Sequence, residues 1–308
     1  IGSADPTGMS TITKNIGSVS NRGIEFAADV DIIRNNDWNW NVGLNLTWLK
    51  NEIIELPDGK DILNGLQNFS EGHSIYEFYT YQYAGVDQMN GRALYVADPE
   101  QIEKAKQEGY YVNINGKDYT YNTTYGLKDW SGSALPNVYG SISTSVKYKG
   151  VTLSILGTYS LGGKTYDSTY AALMSSGVAS PSALHKDVLN AWQGVPEGMT
   201  ETSPNRIDPN GIPRFDLSSE DAYSQGAGTR WLQNSSYFVL KNINLNYEFP
   251  KRWVTTMGLS GLSVYGSIEN AFTITSLKGM NPQYSFSGGM DNTFVTARVY
   301  TLGLSLKF

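Results

Sequence analysis

Residue types that carry nucleophilic or metal chemistry are sparse in this sequence. Its 308 residues include no cysteine, which excludes a thiol nucleophile and a disulfide scaffold. The two histidines, His73 and His185, lie far apart, and neither has partners at a metal-ligand spacing. We therefore predict two surface histidines, with no metal site, no cofactor and no catalytic residue.

Carboxylates offer a second kind of chemistry. Glu25, Asp29 and Asp31 share one parity of a predicted strand, where two of them could serve as a glycosidase pair. The same spacing is that of an ordinary polar wall, which we favour. The DPNG sequence at 208–211 could bind calcium, although its composition is more typical of a turn. We therefore predict that the chain is not an enzyme.

Aromatic side chains are the stronger candidates for contact with a ligand or partner. They cluster in the segment 50–136, which is also rich in Gly, Asn and Asp. Tyr and Trp rings offer flat apolar faces with polar tips, which stack on sugars and pack against proteins. For any single ring, packing within the loop itself is an equally open alternative. The candidate contact residues are Tyr76, Tyr79, Tyr81, Tyr83, Tyr110, Tyr111 and Trp130.

The elements that position these residues alternate between apolar and polar side chains. In the final stretch, 293–308, apolar residues hold one parity and polar residues the other, so a strand has one apolar and one polar face. A soluble β-sandwich strand could alternate in the same way. The length, the terminal Phe308 and the recurrence of the pattern favour a membrane-spanning barrel strand. The predicted lipid-facing residues here are Leu302, Leu304 and Leu306. Ser305 and Lys307 are predicted to face the lumen or the plug.

A second strand repeats the pattern more strictly. Trp38, Trp40 and Trp48 share a face with Leu44, whereas asparagines including Asn45 occupy the opposite parity. Tryptophans near both ends of an apolar band suit two membrane interfaces. The alternative is a sandwich strand with Trp in its core. The pattern favours lipid on this face.

Seven such strands are joined alternately by short turns and long connections. The short turns fall near Asn35, Lys149 and Pro250, and the long connections span 50–136 and 163–234. An outer-membrane barrel has short periplasmic turns and long extracellular loops. We therefore predict an all-β fold, a transmembrane antiparallel β-barrel with long extracellular loops. Short helices are predicted at 99–108 and 182–192 within these loops.

Composition agrees with this reading. Mean hydropathy is −0.33 and no apolar run approaches the ~18 residues of a membrane helix. The formal net charge of −6 argues against a nucleic-acid partner, which would require a basic face. Residues 1–10 lack the features of a signal peptide, although a membrane barrel must be exported. We therefore expect the chain to be the C-terminal piece of a longer protein.

Several blocks resemble the SusC/RagA family of TonB-dependent outer-membrane transporters from Bacteroidetes-type bacteria. NIGSVSNRGIE at 15–25 resembles the entry to a late barrel strand, and SYFVLKNINLNYEFP at 236–250 resembles the penultimate block. NAFT at 270–273, Lys278-Gly279 and RVYTLG at 298–303 resemble the last two strands. The likeness covers essentially the whole chain, but only the C-terminal third of such a protein.

The resemblance also has departures. Val239 stands where the family often has Arg, and NPQ at 281–283 stands where it often has Asp-Pro-Glu. Neither affects the barrel prediction. No plug domain and no TonB box is present in the sequence, so gating and energy coupling rest on the resemblance alone.

The resemblance implies a barrel of about 22 strands in the outer membrane. It implies active import of glycans or peptides, energised through TonB, beneath a SusD-like surface lipoprotein that acts as a lid. Residues 1–308 would supply the C-terminal strands and extracellular loops, with the plug domain elsewhere. Resemblance to outer-membrane proteins generally implies that Phe308 is an assembly signal. The alternatives are a siderophore-type receptor, or an enzyme or adhesin built on a barrel.

Overall fold

The computed structural model describes residues 17–174, 183–215, 228–283, 287–289 and 294–308. Antiparallel β-structure dominates these ranges, and the short helices lie in loops and turns. The strands are β1 (Ser18–Arg34), β2 (Trp38–Glu55), β3 (Ile62–Asn64), β4 (Gln67–Phe69), β5 (Glu77–Tyr81), β6 (Tyr83–Asp87), β7 (Ala93–Val96), β8 (Tyr111–Ile114), β9 (Lys117–Thr120), β10 (Lys128–Ser133), β11 (Val138–Tyr148), β12 (Val151–Leu161), β13 (Lys164–Tyr166), β14 (Ile207–Asp208), β15 (Leu232–Asn234), β16 (Tyr237–Glu248), β17 (Gly261–Thr275) and β18 (Val299–Lys307).

The helices are short. None within the described ranges is long and apolar enough to cross a membrane. The α-helices are α1 (Ile102–Gln107), α2 (Ser168–Leu173) and α3 (Lys251–Val254), and single 3₁₀ turns occupy Pro57–Gly59, Thr123–Tyr125, Lys186–Asn190, Thr229–Trp231 and Thr255–Met257.

The long strands form one sheet of seven, in the order β1-β2-β11-β12-β16-β17-β18. Every neighbouring pair is antiparallel. The seven strands lie in the sheet in their order along the chain, so each one pairs with the long strand that follows it. The seven predicted strands are therefore confirmed. Within the described residues, β1 and β18 are the two edges of the sheet.

Strand register places the apolar residues of all seven strands on the same face. Across the sheet, Leu44 pairs with Ile142, and Leu153 with Leu245. This apolar face is largely uncovered, with Leu302 89% exposed. An apolar face that extends over several neighbouring strands and is exposed marks a surface that contacts a membrane or a partner. The predicted division into an apolar and a polar face is confirmed.

The polar face is connected by side-chain hydrogen bonds between strands. The Asn41 amide donates to Asp29 at 2.7 Å and to Asp31 at 3.1 Å, and the Asn45 amide donates to Ser141 at 2.6 Å. Such cross-strand pairs stabilise neighbouring strands and fix their register. Asp29 and Asp31 therefore belong to a hydrogen-bonded polar wall.

The predicted strand limits are wrong at two places. Strand β18 begins at Val299, and residues 294–298 before it are not in a strand; residue 293 lies outside the described ranges. Strand β2 instead continues to Glu55, beyond the predicted change of rhythm at residue 50. The extension is held by Asn51, which accepts from the Ser74 hydroxyl and the Ile75 amide, and by the buried Ile53.

The first long connection is folded rather than open. It contains a four-stranded sheet, β10-β5-β4-β3, and contributes β6-β7-β9-β8 to a five-stranded sheet that β14 completes. A core of Leu94, Ile114, Tyr119 and Tyr121 lies within it. The helix predicted at 99–108 is confirmed as α1.

The helix predicted at 182–192 is wrong. Residue 182 lies outside the described ranges, and the rest contains a single 3₁₀ turn, Lys186–Asn190. After this turn the backbone of the second long connection bonds to a later part of the same connection. The Trp192 amide donates to the Ile212 carbonyl at 2.9 Å, and Ala191 bridges to the same residue. These bonds replace the helical ones.

Candidate functional site

A cleft of about 710 Å³ lies where the polar face of the sheet meets the folded loops. Its floor is formed by the loop ends of β11, β12 and β16, and its roof by residues of the loops. The volume is that of a typical small-molecule or oligomer site. The floor residues are Tyr139, Thr158, Ser160 and Tyr237, and the roof includes Tyr76, Pro136 and Gln283.

The floor follows from the two-residue period of the strands. Tyr139 pairs with Ser160 across β11 and β12, and Ser160 pairs with Tyr237 across β12 and β16. Residues that pair directly share one face of a sheet. The three side chains therefore present two phenol rings and a hydroxyl group to the same space. One further hydroxyl, Thr158 Oγ1, is buried there and has no hydrogen-bond partner in the described residues.

Lys241 enters the cleft through a β-bulge. The register shifts between Leu240 and Asn242 on the β17 side of β16, and between Leu156 and Gly157 on the β12 side. A bulge inserts one extra residue and redirects its side chain. Strict alternation from Ile243 would place Lys241 on the apolar face, whereas the bulge allows it to line the cleft.

Sequence reasoning missed this lysine. The sequence did contain a signal for it: in the strand YFVLKNINLNYE, the lysine occupies a position at which the alternation calls for an apolar residue. A charge facing lipid is unfavourable by ~2–4 kcal/mol at mid-membrane, so a lysine on that parity indicates either a strand end or a bulge.

Of the seven predicted contact residues, Tyr76 alone lines this cleft. Trp130 stacks on His73 at 3.6 Å with an interplanar angle of 5°, and Tyr79 meets Trp130 edge-on at 5.2 Å. His73 also contacts Glu77, with 3.1 Å between Nδ1 and Oε2. The histidine predicted at the surface is therefore half-buried in an aromatic cluster.

Two further tyrosines pack around the buried Tyr95 ring. The ring centroids of Tyr81 and Tyr83 lie 6.4 and 5.7 Å from it. Burial raises the pKa of Tyr83 to about 12. The Arg230 guanidinium, from the second long connection, lies 5.5 Å from the Tyr83 ring. Tyr83 thus packs between the two connections.

The last two candidates lie around α1. Tyr110 packs against the core of the first connection and lies 6.1 Å from Tyr125. The Tyr111 hydroxyl donates to Asp118 at 2.6 Å, and the Lys106 ammonium lies 5.0 Å from its ring. The structure therefore separates the seven residues into several clusters, and their role in contact remains a prediction. Phe308 is 93% exposed, and its role in assembly is likewise a prediction.

A buried ion pair joins the two long connections. Arg206 Nε donates to Asp87 Oδ1 at 2.8 Å and Arg206 Nη2 to Oδ2 at 2.7 Å, while the Tyr121 hydroxyl donates to Oδ2 at 2.7 Å. Burial alone raises the pKa of Asp87, but the hydrogen bonds from Arg206 and Tyr121 bring this pKa below its ordinary value. Burial and the neighbouring Asp87 raise the pKa of Tyr121 to about 12. No local pattern indicates this pair, because 119 residues separate its members.

A second, smaller cleft of about 420 Å³ contains the other histidine. Asp187 accepts from the Tyr170 hydroxyl at 3.0 Å and lies 3.3 Å from His185 Nδ1. Across the described residues, no three His, Asp or Glu side chains are grouped closely enough to hold a metal ion. The DPNG sequence forms a turn, in which the Asn210 amide donates to Asp208 Oδ1.

Comparison with known proteins finds relatives that are named TonB-dependent receptors. "TonB-dependent receptor SusC" of Bacteroides thetaiotaomicron is 28% identical over 313 residues, which is 96% of this chain and 27% of that protein. "TonB-dependent receptor P3" of Formosa agariphila is 26% identical over 327 residues, 98% of this chain and 30% of the relative. No protein-family model matches the chain. The chain thus spans about a third of the length of these relatives.

Solved structures give the same picture of the fold. A structure of the RagAB peptide transporter matches with a TM-score of 0.76 at 24% identity, covering 98% of this chain and 31% of the other. The RagAB peptide importer in its "closed-closed" state matches with a TM-score of 0.78 at 23% identity, with the same coverage. The predicted all-β antiparallel barrel fold is confirmed by this likeness and by the sheet. The chain is therefore similar to SusC-like TonB-dependent receptors over about a third of their length, and its fold is similar to that of RagAB.

Proposed function

We propose that residues 1–308 form the C-terminal strands and outer loops of an outer-membrane β-barrel that imports glycans or peptides. In this proposal, TonB supplies energy through a plug domain outside this sequence. A SusD-like surface lipoprotein covers the loops. The protein is a transporter and not an enzyme.

The observation that carries the proposal is the two-faced sheet, in a fold that matches RagAB over 98% of the chain. Apolar residues such as Leu302 cover one face and hydrogen-bonded residues such as Asn41 cover the other. That division suits lipid on one side and a polar lumen on the other. A sheet edge with unpaired backbone groups is not stable in lipid. Strands outside this sequence would therefore pair with β1 and β18 and close the barrel.

The loops support the import of an oligomer. They are folded over the loop end of the polar face and enclose the 710 Å³ cleft between the two. Aromatic rings and hydroxyl groups in the cleft suit the apolar and polar surfaces of sugars and peptides. SusC and RagAB, the similar proteins, are named as a TonB-dependent receptor and a peptide transporter.

Uptake in the bacterium that makes the intact protein tests the proposal. The gene is deleted and restored, and uptake of labelled oligosaccharides, peptides and an iron siderophore is compared with and without functional TonB. We expect TonB-dependent uptake of oligosaccharides or peptides that is lost on deletion. Loss of siderophore uptake alone would contradict the proposal, as would hydrolysis of the oligomer at the cell surface by the purified protein.

A further inference from the structure

Among the described residues, Lys241 is the one charged residue that lines the 710 Å³ cleft. None of the other described lining residues is a carboxylate, arginine or histidine. Within the part of the chain that the structure describes, Lys241 forms no ion pair. The cleft therefore carries one positive charge that the surrounding residues do not neutralise.

Lys241 has lost part of its contact with water at this position. Its side chain is half-buried at the bulge of β16, and removing an ammonium group from water costs free energy unless an anion or hydrogen-bond acceptor replaces the water. Two other lysines of the sheet, Lys50 and Lys147, form ion pairs with glutamates. Lys147, for example, lies 3.5 Å from the Glu248 carboxylate at the opposite end of the strands.

A second polar group close to Lys241 also lacks a partner. Thr158 Oγ1 is buried and makes no hydrogen bond with any described residue. Thr158 pairs with Val239, which is two residues before Lys241 on β16, a separation of about 7 Å along a strand. The long Lys241 side chain can cover this separation, and rotation of the Thr158 side chain can turn its buried hydroxyl into the cleft. Both groups can then donate to the oxygens of one bound anionic group.

The remaining floor suits a larger body attached to that group. The phenol rings of Tyr139 and Tyr237 flank the same space, and Ser160 lies between them in the register. Rings of this kind pack against the carbon faces of sugars and against apolar or aromatic side chains of peptides. The aromatic floor and the positive charge together favour an oligomer that carries an anion.

We propose that Lys241 and Thr158 bind a carboxylate of the imported oligomer while Tyr139 and Tyr237 pack against its neighbouring units. The proposal rests on the proposed function and narrows its substrate class. A peptide supplies the carboxylate as its C-terminus or an acidic side chain, and an oligosaccharide supplies it as a uronic acid. The cleft would bind an amidated peptide or a neutral oligosaccharide more weakly.

Binding to the purified intact receptor tests this directly. The probes are a pentapeptide with a free C-terminus, the same peptide amidated, a tetrasaccharide of uronic acids and a neutral tetrasaccharide. For whichever carboxylate probe binds, we expect Lys241→Met to weaken binding by about tenfold or more, because a charge-assisted hydrogen bond is lost. Lys241→Arg retains most of the affinity. The free and amidated peptides distinguish a peptide ligand, and the two tetrasaccharides distinguish an acidic glycan.

Lys60→Met is the matched control. Lys60 is an exposed loop lysine outside the cleft, so this variant removes the same charge and leaves binding unchanged. Equal affinity for the carboxylate probe and its neutral partner in the unaltered protein would overturn the assignment, as would unchanged binding by Lys241→Met. Binding of no oligomer of either class by the unaltered protein would overturn the proposed function as well.

Discussion

The seven-stranded sheet and the folded loops use similar residue types but arrange them in opposite ways. In the sheet, large apolar residues such as Leu304 point outward and polar residues lie on the other face. In the loops, Trp231, Tyr95 and Leu94 are almost completely buried. A water-soluble domain buries its apolar residues, and a membrane sheet exposes them to lipid. One chain therefore contains two regions built for two solvents.

The difference extends to how polar groups are satisfied. On the sheet, the polar face consists of exposed hydrogen-bonding side chains, such as Asn45 and Asp29. In the loops, the Asp87–Arg206 pair is buried and holds two distant connections together. A substitution in the buried ion pair should therefore affect the loops, whereas a substitution on the apolar face should affect the stability of the sheet in lipid.

The largest effect is expected at the ion pair. Arg206→Met leaves the Asp87 carboxylate, which is 0% exposed, buried without its cation. Removing one partner of a buried pair costs about 3–5 kcal/mol. We expect the amides of β6 and β14 to exchange hydrogen much faster, while the barrel keeps its heat-modifiable gel mobility.

Lys106→Met is the control for that variant. Its ion pair with Glu103 is exposed, and screening by water leaves exposed pairs with little effect on stability. Unchanged exchange in Arg206→Met would mean that the two connections are held together by other contacts.

The next effect is expected on the apolar face of the sheet. Ile142 lies at the middle of β11 and is exposed, whereas the next residue, Ser143, faces the polar side. Ile142→Lys should lower stability in bilayers by about 2–4 kcal/mol, and Ser143→Lys by much less. Denaturant unfolding in lipid vesicles measures both. Equal losses would show that the two faces do not meet different solvents.

A smaller effect is expected at Gly303 on the polar face. Its register partner Tyr265 lies over it, and a Cβ at Gly303 would clash with the Tyr265 ring. Gly303→Ala forces the ring or the strand to move, at a cost of about 1–3 kcal/mol. The same measurement in vesicles checks it. Full recovery in Gly303→Ala combined with Tyr265→Ala would confirm the clash as the cause.

The mildest effect is expected from pH, and only in the loops. The lowered pKa of Asp87 means that its pairing stabilises the loops above its ordinary value of 3.8 and is lost as pH falls through the lower folded value. Tyr121, with its pKa raised to about 12, stabilises the loops below 10.0 and ceases to do so as pH rises toward 12. Hydrogen exchange of β6 should therefore be constant from about pH 5 to 9 after correction for intrinsic rates. A transition within this pH range would contradict the assignment of the pH dependence to Asp87 and Tyr121.

The same contrast explains what the sequence could predict. The period of two is a local property, so the faces of Trp38, Leu44 and Ile142 could be predicted from alternation alone. The Asp87–Arg206 pair depends on the folding of two separate connections, which no local pattern specifies. Lys241 is an intermediate case. The sequence shows a lysine at an apolar position of the alternation, but the bulge that redirects its side chain depends on how β12, β16 and β17 pair.

Cysteine labelling of adjacent residues in the outer membrane tests the central claim most directly. This chain has no cysteine of its own, so Leu44→Cys and Asn45→Cys each introduce a single thiol into it. The account predicts that a water-soluble maleimide reacts with Cys at 45, while a fluorophore attached at 44 after unfolding and reassembly is quenched by spin-labelled lipid. Reaction of the water-soluble reagent at 44 but not at 45, or lipid quenching at 45, would contradict it.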